Sequence, residues 1–226
     1  MVILSVDTSG RHGSVALCRG DATSFEVLGL SALEGGTYSA RLVPCIADLL
    51  QSAGLTKSQL DGLVVVDGPG SFTGLRVGLS TVKALCEILR KPLAVVSMLE
   101  ALAVTYGHEG EDVTAILDAG RGEVYVGEYE VGNGTTRRVR QSIQKLDGFL
   151  EQLPSQNLRV LTTFTKLAES PTVAAAGVTV VNPLHADAIA RIGLRKLLAG
   201  ETSDPASLDA NYIRRSDAEL FSLPKH

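Results

Sequence analysis

Leu63–Lys91 reads LVVVDGPGSFTGLRVGLSTVKALCEILRK, and its three parts decide the fold. Leu63–Val66 is an apolar run of strand length. Gly68-Pro69-Gly70-Ser71-Phe72-Thr73-Gly74 is a turn with three glycines. The remainder is helical in pattern, with no Gly or Pro after Gly78, and Pro92 closes it. Strand, glycine turn and helix in succession form the unit of an α/β sheet. They also form one layout that aims backbone N–H groups at a phosphate.

The nucleotide motifs fit this turn poorly. No Gly-Lys-Ser/Thr closes it and the next lysine is Lys83, so it is not a P-loop. Ser71 lacks the flanking glycines of a nucleophile elbow. Gly68-x-Gly70-x-x-x-Gly74 is a dinucleotide fingerprint lengthened by one residue, but it follows a late strand and no ribose-binding acid ends the next one. The glycines are read as permitting a sharp turn and close packing of helix on sheet. Residual anion binding at the helix N-terminus stays open.

The helix is apolar over well over half its circumference. Leu75, Leu79, Val82, Cys86 and Leu89 form one stripe. Val77, Ala84 and Ile88 form another, with Gly78 and Leu85 between them, and only Arg76, Ser80, Lys83, Glu87 and Arg90 make a polar line. Such a helix is buried on two sides, either by its own chain or by a partner. Small residues such as Gly78 and Ala84 would allow a partner close approach.

Outward from this unit the chain alternates strands and helices. Val2–Val6 is a strand ending at Asp7-Thr8-Ser9; Ser14–Cys18 and Thr23–Leu30 continue it as a meander. Thr37–Ala53 is helical in pattern. Pro44 predicts that its regular part begins near Arg41, with the proline in the first turn. Leu93–Val96 is a strand, and Ser97 with Glu100 predicts a capping box for a helix through about Tyr106. Gly107–Glu111 is a polar break that divides the chain into a first lobe, 1–106, and a second, reduced lobe, 107–226, whose tail packs over the domain or a partner. VILSVDTSGRHGSVAL and VTAILDAGRGEVYVGEY then share one plan: apolar strand, terminal Asp, Gly-Arg turn, alternating return strand. This predicts an internal repeat about 110 residues apart. Arg137, Arg138 and Arg140 mark a solvated strand, Leu146–Leu153 a helix, Leu158–Leu161 and Val178–Val181 strands, and Ala186–Ala199 a helix closed by Gly200.

Composition sets the outer limits. The chain has 226 residues, 45% apolar and 20% charged, with a formal net charge of −4, so it is an ordinary globular protein that grips nucleic acid poorly on its own. Cys18, Cys45 and Cys86 lie far apart among apolar residues and read as reduced core side chains. The N-terminus has no basic n-region, no run approaches membrane length, and the expected location is the cytoplasm. Asp7, Asp67 and Asp118 end predicted strands, where a cleft would form. His12, His108, His185 and His226 are scattered and none pairs at helical spacing, which disfavours a metal site.

These residues match a known family. ILSVDTSGRHGSVAL, DGPGSFTGLRVGLSTVKAL, VVSMLEALA, DAGRGEVYVGEY and NYIRRSDAE resemble the TsaB family, in family order, densely in the first lobe and sparsely in the second. The resemblance implies an α/β protein of two lobes, each a copy of the actin-like (ribonuclease H-like) fold with mixed sheets flanked by helices. It implies a non-catalytic paralogue and partner of TsaD, the subunit that makes N6-threonylcarbamoyladenosine in tRNAs reading codons that start with A. TsaD holds its metal partly through two histidines four apart; Met98 and Leu102 stand at those positions here, and neither can supply an imidazole. Tyr38 stands where many TsaB sequences carry a His before Ser-x-Arg-Leu, and only a surface or packing role is expected to change.

A structural and activating subunit follows, with no cofactor of its own and ATP handled by partner subunits. The expected interface with TsaD is helical: Arg41, Leu42 and Cys45 from one helix, Val77, Gly78, Thr81, Ala84, Leu85 and Ile88 from the other. By resemblance a TsaE-type ATPase joins this pair and tRNA is met only through the complex. The second reading is an actin-like ATPase or kinase using Asp7, Thr8, Gly10 and Asp118 around Mg-phosphate between the lobes. Against it, the second lobe lacks a glycine-rich adenosine loop. A third is a homodimer through the same helix face. A peptidase has neither nucleophile nor metal site here.

Overall fold

The computed structural model describes residues 1–132, 134–153, 159–165 and 177–209. Two five-stranded sheets follow one another along the chain. The first contains β1 (Val2–Asp7), β2 (His12–Gly20), β3 (Phe25–Glu34), β4 (Gly62–Gly68) and β5 (Leu93–Ser97), with α1 (Tyr38–Ser52) and α2 (Phe72–Leu89) in its connections; α3 (Met98–Tyr106) leads from β5 to the second sheet. The second contains β6 (Asp112–Gly120), β7 (Glu123–Val131), β8 (Thr136–Lys145), β9 (Arg159–Thr162) and β10 (Val178–Val180), with α4 (Leu146–Gln152) before β9 and α5 (Ala186–Leu198) after β10.

The repeat seen in the sequence is a repeat of topology. In the first sheet the order is β3-β2-β1-β4-β5; in the second, read from its other edge, it is β8-β7-β6-β9-β10. β1 pairs antiparallel with β2 and parallel with β4; β6 does the same with β7 and β9. Short turns can only join antiparallel neighbours, so each half opens as a meander. The long crossover carrying a helix then lays a parallel strand on the far side.

β4 is apolar throughout because both its faces are covered. Leu63 and Val65 join Leu4 and Val6 in a core beneath α1 and α2, while Val64 and Val66 join Ile3 beneath α5. α5 therefore returns from the end of the chain to the first sheet: the Ala186 N–H donates to Ser14 Oγ at 2.8 Å, and Gly193 leaves the space that Val64 fills. α3 packs the other way, with Leu99, Leu102 and Ala103 on Val113, Ala115 and Tyr129 of the second sheet. The helices on either side of Gly107–Glu111 thus each pack across that break.

Two local expectations need correction. α1 begins at Tyr38, not near Arg41, and Pro44 lies inside it. Pro44 faces solvent and so does Ala40, whose carbonyl loses its helical partner, so water can take the bond that the proline cannot make. Ser97 sits at the N-cap of α3 but its side chain makes no cap bond. Glu100 instead accepts from Lys196 Nζ at 2.8 Å, a charge-assisted bond stronger than a reach back to a neutral N–H. Asn133 of the turn sequence Gly132-Asn133-Gly134, Leu158 at the start of the predicted strand, and the tail segment Asn211–Arg215 lie outside the described residues.

Candidate functional site

The glycine turn closes on the chain's own first strand. Gly68 has φ +131°, a conformation that side chains resist. Beyond it, a Cβ on Gly70 would meet the Ser9 carbonyl, one on Gly74 the Thr8 carbonyl, and one on Gly78 the Thr8 hydroxyl. Thr8 Oγ1 donates to the Gly74 carbonyl at 2.8 Å and the Ser71 N–H donates to the Ser9 carbonyl at 2.6 Å. Ser71 Oγ, at the N-cap of α2, accepts from the Gly74 N–H at 3.3 Å. Two of the donors that a phosphate would need at this helix end, the Ser71 and Gly74 N–H groups, are therefore engaged within the chain. The predicted close packing is what the glycines serve, and for Gly78 the neighbour is Thr8.

Tyr38 completes the closure. Its hydroxyl donates to the Gly10 carbonyl at 2.9 Å, and its ring lies where a Cβ of Gly13 would fall, 2.9 Å from Cε1. Tyr38 thus ties α1 to the first hairpin.

The structure brings Asp7, Gly10 and Asp118 to one cleft between the two sheets, with His12, Gly70 and Met98 also on its walls. Its volume is about 230 Å³, below the roughly 300 Å³ at which small-molecule sites begin. Thr8 is turned away into Gly74 and Gly78. Asp7 Oδ1 accepts from Ser9 N at 2.8 Å and Ser9 Oγ at 2.7 Å. Burial raises the Asp7 pKa above the usual carboxylate range, and the two bonds from Ser9 oppose the rise. Asp118 Oδ1 accepts from the Gly120 N–H at 2.8 Å, as a turn residue does. Met98 faces this cleft, whereas Leu102 is buried on the second sheet. Among the described residues no group of three or more His, Cys, Asp or Glu could hold a metal ion.

The outer surface of α2 is less covered than its length and composition would lead one to expect. Leu75, Gly78, Leu79, Val82 and Cys86 face the first sheet. On the opposite side Val77, Thr81 and Leu85 are half-buried, Ala84 is exposed and Ile88 is 70% exposed. Polar residues take only the remaining strip, so an apolar stripe runs along the outside of the helix. On α1, Arg41 is exposed, as is Val43 at 61%. Leu42 (1% exposed) and Cys45 (5% exposed) point into the core. With Gly78, they are corrected from surface candidates to core residues, because the wide apolar arc contains both a core stripe and a surface stripe. Val43, whose spacing with Leu42 and Ile46 predicts a place on the core side of the helix, is instead exposed.

Two mixed sheets of one topology, flanked by helices and meeting at a hairpin-lined cleft, define a duplicated actin-like fold. Among solved structures, a Pseudomonas aeruginosa protein described as similar to peptidase YeaZ superposes with a TM-score of 0.74 at 25% identity, covering 94% of this chain and 99% of that one. A family model for TsaD, tRNA N6-adenosine threonylcarbamoyltransferase, matches residues 35–185. The Bacillus subtilis tRNA threonylcarbamoyladenosine biosynthesis protein TsaB is 35% identical over 71% of this chain and 69% of its own length. The Haemophilus influenzae TsaB is 37% identical over 55% of this chain and 52% of its own, so the match spans about half of that relative. The chain belongs to the TsaB family, within the wider TsaD family.

Proposed function

We propose that this chain is a non-catalytic, activating subunit for the formation of N6-threonylcarbamoyladenosine in tRNAs that read codons starting with A, and that it works by pairing with a TsaD-type catalytic subunit. The observation that carries the proposal is the outer face of α2, where Ala84 and Ile88 are exposed beside half-buried Val77, Thr81 and Leu85, on a chain of the TsaB family. On α1, Val43 is a further exposed apolar residue, whereas Arg41 lines the groove between α1 and β3. Single exposed apolar residues are ordinary, but a contiguous stripe on one helix is the mark of an interface. A helix face of this kind meets a matching helix ridge-into-groove.

The filled first hairpin supports an accessory role over the ATPase alternative. Thr8 and Ser9 spend their polar groups inside the chain, and Met98 and Leu102 replace two metal-binding imidazoles. A TsaE-type ATPase as third member, tRNA contact only within the assembly, and a cytoplasmic location belong to this proposal. So does a division into lobes 1–106 and 107–226, with α3 and α5 exchanged between them. Co-purification with the cognate TsaD, followed by tRNA threonylcarbamoylation with and without this chain, tests the reading. A homodimer seated on the same stripe would appear as a competing species that TsaD dissolves.

A further inference from the structure

A second pocket, of about 580 Å³, lies where α5 and the ends of β4 and β5 meet β7 and β8. This is within the range of small-molecule sites. Among the described residues, four enclosed side-chain polar atoms without a hydrogen-bond partner belong to residues that line this one pocket: Asp67 Oδ1, Ser97 Oγ, Tyr129 Oη and Thr136 Oγ1. They come from four different strands, so no single loop conformation accounts for them. Buried polar groups are normally satisfied, and a cluster that is not marks a place where something polar belongs.

The charges on the walls narrow what that is. Lys196 Nζ is bound to Glu100 at 2.8 Å and to the Val95 carbonyl at 3.1 Å. Arg195 Nη1 donates to the Gly134 carbonyl at 2.7 Å, and Arg138 Nη1 to Gln141 Oε1 at 3.2 Å. None of these bonds reaches Asp67, so its carboxylate is enclosed without a hydrogen-bonded cation. An anion would be repelled by it. A hard divalent cation wants several carboxylate or carbonyl oxygens, and one carboxylate with three hydroxyls is a poor set. A primary ammonium has three N–H donors and one positive charge, and it matches one carboxylate oxygen and two hydroxyl oxygens. Burial pushes the Tyr129 phenol up to about 12, against the lowering effect of the neighbouring Ser97 hydroxyl. The phenol is therefore neutral and its oxygen able to accept.

We propose that Asp67, Ser97 and Tyr129 form a binding site for the ammonium group of a small amine-bearing molecule, with Thr136 beside it and a polar or acidic far end of the ligand facing Arg138 and Arg195. The site is separate from the α2 stripe, so its failure would leave the partner reading standing. The groups that set its pH dependence are Glu100 on α3, Lys196 on α5 and Arg138 on β8, all of which face Asp67.

The test is titration of the full chain with 4-aminobutyrate, followed by amide NMR shifts and thermal denaturation. Glycerol serves as a neutral control and tetramethylammonium as a cation without N–H donors. Saturable binding of 4-aminobutyrate alone, mapped to β4, β5 and β7, is expected. Asp67→Asn should weaken it by about 10- to 100-fold, and Ser97→Ala or Tyr129→Phe by several-fold. Binding should also weaken as pH falls below about 6, where burial places the Asp67 carboxyl. If Asp67→Asn fails to fold, the two hydroxyl variants decide. Absence of binding, equal binding of glycerol or tetramethylammonium, or affinity unchanged in the folded variants would overturn the assignment and leave the pocket to ordered water.

Discussion

The hydroxyl of Thr8 stands in the space that a methyl group on Gly78 would fill, held there by its bond to the Gly74 carbonyl at 2.8 Å. Gly78→Ala must therefore displace Thr8 or lose that bond. Overpacking costs about 1–3 kcal/mol, and the gain in helix propensity returns about 1 kcal/mol. We expect a net loss of between about 0 and 2 kcal/mol in urea denaturation. On a Thr8→Ala background the same change should be neutral or stabilising, because the colliding oxygen is gone. Gly74→Ala meets the Thr8 backbone carbonyl instead, so Thr8→Ala should not rescue it.

Gly74 and Gly78 share a helix face, so the sequence shows that something comes close to it. It does not show what: Thr8 and Gly74 are 66 residues apart, and ligand, partner or own chain satisfy the same glycines. The continuous apolar run of β4 was legible as a strand buried on both faces, and the two Asp-ended hairpins as a duplication, because both are local patterns. The return of α5 to the first sheet was not, since its own apolar periodicity fits either sheet. The pocket around Asp67 was hidden for a related reason. Asp67 was visible as a strand-end acid, but Ser97, Tyr129 and Thr136 join it only once the two sheets are set against each other.

Tyr38→Phe removes the donor to the Gly10 carbonyl while keeping the ring against Gly13. A loss of about 1 kcal/mol is expected, read as a lower urea midpoint with unchanged m-value. A loss well beyond that would mean that the first hairpin depends on α1 for its conformation.

Lys196 links α5 to α3 through Glu100, with the two side chains only 22% and 18% exposed. Lys196→Met strands a half-buried carboxylate and should cost about 1–3 kcal/mol. Lys145→Met, which breaks the pair with Glu123 where the lysine is 72% exposed, should cost no more than about 1 kcal/mol. Thermal denaturation of the two variants side by side checks the contrast.

Asp67 gives a pH dependence of definite sign. Burial raises its carboxyl from 3.8 to about 6 in the folded chain. Between these values the folded state holds a proton that the unfolded state has released, so stability falls as pH rises through that window and the loss is complete above it. The effect is on the order of 3 kcal/mol. Asp67→Asn in amine-free buffer should therefore flatten the stability profile between pH 4 and about 6 and raise stability at neutral pH.

The central claim is that the outer stripe of α2 is where this chain does its work. Ile88→Glu and Ala84→Glu alter exposed positions, so each should change the chain's own stability by no more than about 0.5 kcal/mol. The most direct measurement is tRNA threonylcarbamoylation by the cognate TsaD system with these variants, alongside Asp7→Asn at the cleft. The account predicts that both stripe variants lose TsaD binding and product formation together, while Asp7→Asn supports wild-type turnover. Full activity with the stripe variants, or an Asp7→Asn chain that folds and binds TsaD yet yields no product, would contradict it.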